Sequence, residues 1–377
     1  MLPLLAVNAI AMMAAAAGLA RYSAWPPQAV AHVAFALGIL PLILAAMSYF
    51  IPVLTRSGAT APRWLPAVPL AAWLGGLLLI AGFTGAFGLG LTGASHAAFA
   101  LAGPATLAML VWSWQRGRAA VGKPHPGLAW YLAALACLGL ALLAVPLMSV
   151  WPEQRAALRL FHLHLNLLGF VGLTSLGTVQ VLLPTATGRP DPQAAQRLAG
   201  DLRVAGGGVL LLAIGAAWFK PLAVLGALLY LIAPLRMTRD WLRAYRDLIL
   251  RPHGAAASLA AACAGLLALL LLGIGHAFGL LAGRAAIGGF VLAFLLPLVS
   301  GAAAQLLPVW LRPGPQREWH KILRSALGWL AGLRALLMVA GGIALALGWN
   351  EGVWLAAAGM ALLLMGTLSA LRKMTKI

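Results

Sequence analysis

The chain has 377 residues, of which 63% are hydrophobic and only 9% are charged, and its mean hydropathy is +0.95. A soluble domain carries roughly a quarter charged residues, so this composition excludes a soluble globular protein and indicates an integral membrane protein. The formal net charge of +19 does not indicate nucleic-acid binding, because the Lys and Arg residues lie in short segments between apolar runs.

Twelve apolar runs are long enough to cross a bilayer, which takes about 20 residues each. The predicted fold class is therefore an all-α polytopic membrane protein, with one transmembrane domain over residues 1–377. The first run is read as a span, because no Lys or Arg precedes it as in a signal peptide. Spans 1 to 12 are predicted at residues 3–20, 28–54, 66–90, 94–115, 127–150, 158–184, 202–220, 221–240, 255–281, 284–311, 325–348 and 350–371.

The spans form three diverged copies of one four-span unit, at about residues 1–120, 121–252 and 253–377. At a shift of 256 residues the first copy aligns without a gap on the third, so that Leu40-Pro41-Leu42 falls on Leu296-Pro297-Leu298. The middle copy is fainter: His164 precedes Pro184 by twenty residues, as His32 precedes Pro52. Histidines at one position in two of the copies indicate a haem or metal protein built on internal pseudo-symmetry.

The distribution of positive charge predicts the orientation. The loops after spans 2, 4, 6, 8 and 10 and the C-terminal tail contain 20 Lys or Arg residues, whereas the opposite loops contain five. The positive-inside rule then places both termini in the cytoplasm of a bacterium, with the protein in its inner membrane. Cys137 and Cys263 lie deep in spans 5 and 9 and are interpreted as small buried hydrophobic residues.

Five histidines fall at the predicted outer ends of four spans, and three fall in cytoplasmic loops. Neutral imidazole is a common ligand of haem iron, copper and zinc, and ionisable groups kept in spans often serve function. The alternative is an interfacial histidine that bonds to water or a carbonyl. Ligation is favoured for His32 and His164, which share a repeat position, and the alternative for the lone His96. The other outer histidines are His162 and His276, and a solvated or headgroup-facing role is expected for His125, His253 and His320.

The segment from residue 161 to residue 174 is the most polar outer end. Residues two apart on a helix are about 200° apart, so His162 and His164 are not expected to face one metal from a regular helix. Which of them is the ligand stays open. His162 and Asn166, four residues apart, are predicted to share a face. Gly169 and Gly172 permit close approach of a helix or a macrocycle, with plain helix packing as the alternative.

Other features limit the chemistry. No CxxC, CxxCH, HExxH or nucleotide-binding motif occurs, which excludes covalent c-type haem and thiolate or zincin sites. All seven acidic residues are predicted in loops or at span ends, which argues against proton pumping. Arg334 is predicted as an intramembrane charge about 15 Å deep, with a bound anion, carbonyls, water or snorkelling as alternatives. Cations near the outer histidines could hold haem propionates or face water: Arg21, Arg155, Arg159 and Arg284.

Three four-span units with His32 opening span 2 resemble the catalytic subunit of haem–copper oxidases and nitric oxide reductases. At residue level the resemblance rests on His32 and residues 162–185. It implies His32 as an axial ligand of a b-type haem and His162 or His164 as a copper ligand. However, span 7 has no histidine pair, Gly288 stands where the repeat would place a histidine in span 10, and span 6 lacks a His-xxx-Tyr pattern. The chain is therefore more similar to divergent relatives such as the NnrS family of haem- and copper-containing membrane proteins, associated with denitrification and nitric oxide stress.

Residues and resemblance together predict an inner-membrane haem b protein in nitric oxide or respiratory redox metabolism, without oxygen reductase activity and with copper left open. The predicted ligands are His32, His164 and His162, with His276 as first replacement for the lost span-10 ligand and His96 behind it. Nitric oxide or another small ligand would bind an open iron position, and a respiratory-chain donor would supply electrons to an oxidoreductase-like centre. The alternatives are a permease for metal ions or small solutes and an assembly partner of a respiratory complex.

Overall fold

The computed structural model describes residues 1–57, 61–281 and 283–374. Within these ranges the chain forms helices and no strand, and twelve helices are long and apolar enough to cross a membrane, which confirms the all-α polytopic fold. They are named α1 to α12 in chain order: Leu2–Tyr22, Pro27–Thr55, Ala67–Thr84, Leu91–Arg118, Gly127–Val150, Pro152–Thr187, Ala194–Trp218, Lys220–Ala244, Ala255–Ala277, Ala285–Leu311, Glu318–Ala346 and Gly352–Lys373.

Most helix ends lie within a few residues of the predicted ones, and α7 is the main exception. It begins at Ala194 rather than at 202, because Ala194, Leu198 and Ala205 form a buried stripe that extends the helix beyond the apolar run. Asp201 therefore lies two turns inside α7 and is only 2% exposed. The prediction that every acidic residue lies in a loop or at a span end is wrong for Asp201, and the argument against proton chemistry loses that premise.

The internal repeat extends to the backbone conformation. A π-helical segment interrupts α2, α6 and α10 at equivalent positions: Val33–Ile39, Leu165–Gly172 and Phe290–Leu295. The first two segments begin directly after His32 and His164. These three helices are also the most buried spans, with 61%, 78% and 72% of their apolar windows buried, against at most 44% in the others. The equivalent helix of each copy is thus its central helix.

In the third copy, a close helix contact occupies the position where the other two copies have a histidine. A side chain at Gly288 would collide with Leu345 of α11, and one at Gly289 would approach the carbonyl oxygen of Gly342 to 2.9 Å. The absence of a histidine from α10 therefore accompanies close contact between α10 and α11, which glycine permits.

The helix α11 is not continuous. Its first piece ends at Leu327 and its second begins at Ala331, and Leu330 between them has a left-handed φ of 48°. The loop before α9 holds this break, because the Gly254 N–H donates to the Gly328 carbonyl at 2.8 Å and the Gly332 N–H to the Pro252 carbonyl at 3.0 Å. The first piece, Glu318–Leu327, buries Trp319 and Leu323 against the ends of neighbouring helices.

The contacts divide the chain into two compact units. The first contains residues 1–178 and 192–233, and the second contains residues 179–191 and 234–377. In the first unit, α1 packs on the π-helical segment of α2, α3 packs on α2 and α4, and α5 packs on α4 and α6. In the second unit, α11 packs on α9, α10 and α12. Large fully buried side chains include Trp130 and Phe170 in the first unit and Trp241 and Phe294 in the second.

Candidate histidine site on helices α2 and α6

Two of the predicted ligands, His32 and His162, are brought together in the first unit. His32 ends the α-helical turn Pro27–His32, and His162 lies near the end of the α-helical stretch Arg155–His164, so each ring precedes a π-helical segment. Both side chains are half-buried, and their imidazoles interact electrostatically. The His32 ring also lies 5.2 Å from the Phe83 ring of α3. The two histidines therefore lie near one another on different helices.

The repeat extends to the hydrogen bonds of the rings. The Nδ1 of His32 bonds to the carbonyl of Gln28 at 2.6 Å, and the Nδ1 of His164 bonds to the carbonyl of Leu160 at 2.8 Å. In both cases the acceptor lies four residues earlier on the same helix. Sequence-equivalent histidines thus make the same backbone contact, as the repeat predicted.

His162 is oriented differently from His164. Its Nδ1 reaches across to α5 and bonds to the carbonyl of Ala141 at 2.8 Å. The two rings thus bond to carbonyls of different helices, His162 to α5 and His164 to its own α6, as expected for side chains that point in different directions. Asn166 does not contact the His162 ring: its amide donates to the His162 backbone carbonyl at 2.8 Å. Asn166 therefore contributes to the helix backbone there.

These contacts assign the protonation of the rings. A carbonyl oxygen only accepts, so the proton of each neutral ring belongs on Nδ1 and the lone pair on Nε2. Histidines that bind metal usually donate the second ring N–H to a carbonyl or carboxylate in this way. His32, His162 and His164 consequently have the tautomer that a ligand to iron, copper or zinc requires.

The three histidines of the predicted cytoplasmic loops have the opposite arrangement. The Nδ1 atoms of His125, His253 and His320 accept the backbone N–H groups of Gly127, Leu330 and Arg317 at 3.1, 3.0 and 3.0 Å. Their Nδ1 lone pairs thus hold turns, and of the three His253 is exposed as predicted, whereas His320 is buried. His320 is indeed only 3% exposed.

Burial and the Arg56 charge lower the pKa of His125 below its usual value of 6.5. Both effects disfavour the imidazolium form, which cannot accept the Gly127 N–H. The signal in the sequence is a histidine at a turn just before a helix, here ahead of Pro126 and α5.

The remaining predicted histidines are not part of the pair. His96 is exposed near the start of α4. His276 is exposed near the end of α9, in the second unit, where its Nδ1 bonds to the Leu281 carbonyl at 2.7 Å and its ring lies against Gly283. Its ring therefore bonds to the backbone of its own loop. Its role as a replacement ligand stays a prediction.

Arg334 is placed differently from the prediction. It lies four residues beyond the break at Leu330, so the continuous helix from Arg324 that the depth of about 15 Å assumed is not present. Its side chain is 1% exposed, and Nη2 donates to the Leu327 carbonyl at 2.7 Å, while Nε and Nη1 have no hydrogen-bond partner. A cation at a helix C-terminus is favourable, so Arg334 caps the first piece of α11. Of the alternatives, carbonyl binding is the one observed.

The described part of the chain contains no group of three or more His, Cys, Asp or Glu side chains that could hold a metal ion. A protein copper or zinc site usually takes three or more such ligands. Two imidazoles from separate helices are a donor set of the kind that binds haem iron, and among the described residues no third ligand joins them. Of the predicted propionate partners, Arg21, Arg155 and Arg159 are exposed at helix ends of the first unit, and the Arg284 side chain lies outside the described residues.

Comparison with known protein families, with curated proteins and with solved structures finds no match for this chain. The resemblance to haem–copper oxidases and the NnrS family therefore stays a prediction from the residues quoted above.

Proposed function

We propose that the protein is an integral haem protein of a bacterial inner membrane, with both termini in the cytoplasm and a b-type haem held by His32 and His162 near the outer face. The observation that carries the proposal is that two half-buried imidazoles from separate helices lie near enough to interact electrostatically. Each has Nδ1 bonded to a backbone carbonyl and Nε2 as its lone-pair nitrogen. The pair matches the donor set of a haem iron with two imidazole ligands.

The chain's own residues would orient the ligands and exclude water. The carbonyls of Gln28 and Ala141 fix the ring planes and keep the proton on Nδ1, and Phe83 packs beside the His32 ring. Arg155 and Arg159, at the start of α6, are available as charge partners for propionates. A haem held in this way supplies one-electron transfer, which suits a respiratory-chain partner, and nitric oxide would need one imidazole to leave the iron.

His162 is assigned as the second ligand rather than His164, because its ring interacts with His32 and is anchored on a different helix. His164 is the alternative, since it repeats the position and the backbone hydrogen bond of His32. Copper is not included in the proposal, because no third ligand joins the pair among the described residues.

A metal-ion permease is the less favoured function. Such a carrier needs ligands on both sides of the membrane. The histidines at the opposite ends, His125, His253 and His320, already use Nδ1 to accept backbone N–H groups. An assembly partner of a respiratory complex would not need the paired tautomers of His32 and His162.

The experiment is a reduced-minus-oxidised absorption spectrum and a metal assay on protein purified in detergent. Wild-type protein is expected to show a Soret band and iron. His32→Ala and His162→Ala are expected to lose most of the haem, whereas His276→Ala and His96→Ala, at exposed outer histidines, are matched controls that keep it. His164→Ala retaining haem supports His162 as the ligand, and its losing haem would move the assignment to His164.

Protein without a Soret band would overturn the proposal. Metal uptake by proteoliposomes of such colourless protein would then favour the permease. Loss of another respiratory complex on deletion of the gene, again with colourless protein, would favour the assembly role.

A further inference from the structure

The π-helical segments that follow the histidines are each held by a polar side chain of a neighbouring helix. A π turn places one more residue in the turn than an α-helix does, and such turns occur frequently at functional sites. Because successive residues of an α-helix are about 100° apart, the extra residue rotates everything before it by a similar angle relative to the rest of the helix. The direction in which His32 and His162 point therefore depends on the π turns below them.

On α2 the partner is Asn8 of α1. The Asn8 amide donates to the carbonyl of Leu37, inside Val33–Ile39, at 2.6 Å. The two helices are close at this level, since a Cβ built on Gly38 would lie 3.4 Å from the Ala9 carbonyl oxygen. Asn8 thus supplies a donor to a carbonyl of the π-helical segment from a helix that packs directly on it.

On α6 the partner is Tyr230 of α8. Tyr230 is fully buried, and its hydroxyl donates to the carbonyl of Leu168, inside Leu165–Gly172, at 3.0 Å. Two glycines make room for it: a side chain at Gly172 would overlap the Tyr230 hydroxyl, and a Cβ on Gly208 of α7 would lie 2.6 Å from the Tyr230 nitrogen. Tyr230 is therefore in close contact with α6 at its hydroxyl and with α7 at its backbone, and its donor is aimed at the π-helical segment.

We propose that Asn8 and Tyr230 are positioning residues for the histidine pair. They hold the π turns of α2 and α6 and so direct His32 and His162 toward each other. This role rests on the proposed haem function. The third copy provides an internal control, because its π-helical segment follows Gly288 instead of a histidine, and Ser258 of α9 donates to the nearby Pro297 carbonyl at 2.8 Å.

The experiment compares Asn8→Leu and Tyr230→Phe, which keep side-chain volume but remove the donor, with the matched control Ser258→Ala. The first readout is hydrogen–deuterium exchange of peptides covering residues 33–39, 165–172 and 290–301. Loss of one hydrogen bond is expected to speed exchange about fivefold in the segment concerned. The second readout is the electron paramagnetic resonance spectrum of the haem, together with haem content.

Asn8→Leu and Tyr230→Phe are expected to keep most of the haem but to convert part of the low-spin signal to high-spin, because one imidazole is no longer well aligned. Ser258→Ala is expected to speed exchange only in the 290–301 peptide, which contains Pro297, and to leave the haem signal unchanged. The positioning role is overturned if haem-loaded Asn8→Leu and Tyr230→Phe have the wild-type signal, or if Ser258→Ala changes it equally. Wild-type protein without haem would instead overturn the proposed function, and exchange would still report whether the anchors hold the segments.

Discussion

Substitution of Gly172 by alanine tests the confinement of Tyr230 most sharply. The added methyl group would overlap the Tyr230 hydroxyl, and Tyr230 has little room to retreat because its backbone is in close contact with Gly208. Movement of the phenol would also break its hydrogen bond to the Leu168 carbonyl. The substitution therefore disturbs one packing contact and one buried hydrogen bond together.

The expected magnitude follows from three contributions. Overpacking of a close contact costs about 1–3 kcal/mol, and a lost hydrogen bond costs about 0.5–1.5 kcal/mol. The higher helix propensity of alanine stabilises the folded state by up to about 1 kcal/mol relative to glycine. We expect Gly172→Ala to lower the free energy of unfolding by about 2 kcal/mol.

The assay is unfolding in detergent followed by circular dichroism. Gly139→Ala on α5 is the matched control, because nothing lies within 4 Å of a Cβ built there, and it is expected to be neutral or slightly stabilising. Tyr230→Phe in the Gly172→Ala background removes the overlapping oxygen and is expected to recover part of the loss. Equal stability of the two alanine variants, or strictly additive effects in the double variant, would refute the reasoning.

Two further predictions concern charge. His125 accepts the Gly127 N–H, and burial and the Arg56 charge lower its pKa in the folded protein. As the pH decreases below about 6.5, the unfolded chain takes up the proton before the folded protein does, so the free energy of unfolding decreases. His125→Asn keeps an acceptor without titrating, so its unfolding temperature should fall less between about pH 7 and pH 5 than that of wild type; parallel curves would contradict this. Arg334→Met removes two buried nitrogens without partners and one bond to the Leu327 carbonyl. Because burial of the two nitrogens without partners costs more than the single capping bond contributes, the variant should have a higher unfolding temperature and an unchanged haem spectrum. A lower temperature would show that the capping bond outweighs this cost.

The spans could be predicted from sequence because each depends on a local property, an apolar run of sufficient length. Where the helix depends on its neighbours, the prediction fails. The start of α7 is amphipathic, so the buried Asp201 was assigned outside it. The break at Leu330 is held by hydrogen bonds with Pro252 and Gly254 that no local pattern contains, which is why the helix carrying Arg334 was predicted to be continuous.

The site shows the same division. The repeat identified His32 and His164 as equivalent, and their hydrogen bonds agree. The pairing of His32 with His162 was not predictable, because it depends on the Ala141 carbonyl of another helix and on π turns whose partners, Asn8 and Tyr230, are distant in sequence. Tertiary contacts decide which carbonyl each imidazole of α6 bonds to.

The measurement that tests the central claim most directly is near-infrared magnetic circular dichroism of the oxidised wild-type protein, which identifies the axial ligands of a low-spin haem. We expect the charge-transfer band typical of two neutral imidazoles, and its loss in both His32→Ala and His162→Ala. A haem with a different ligand pair, or no haem at all, would contradict the assignment of these two histidines.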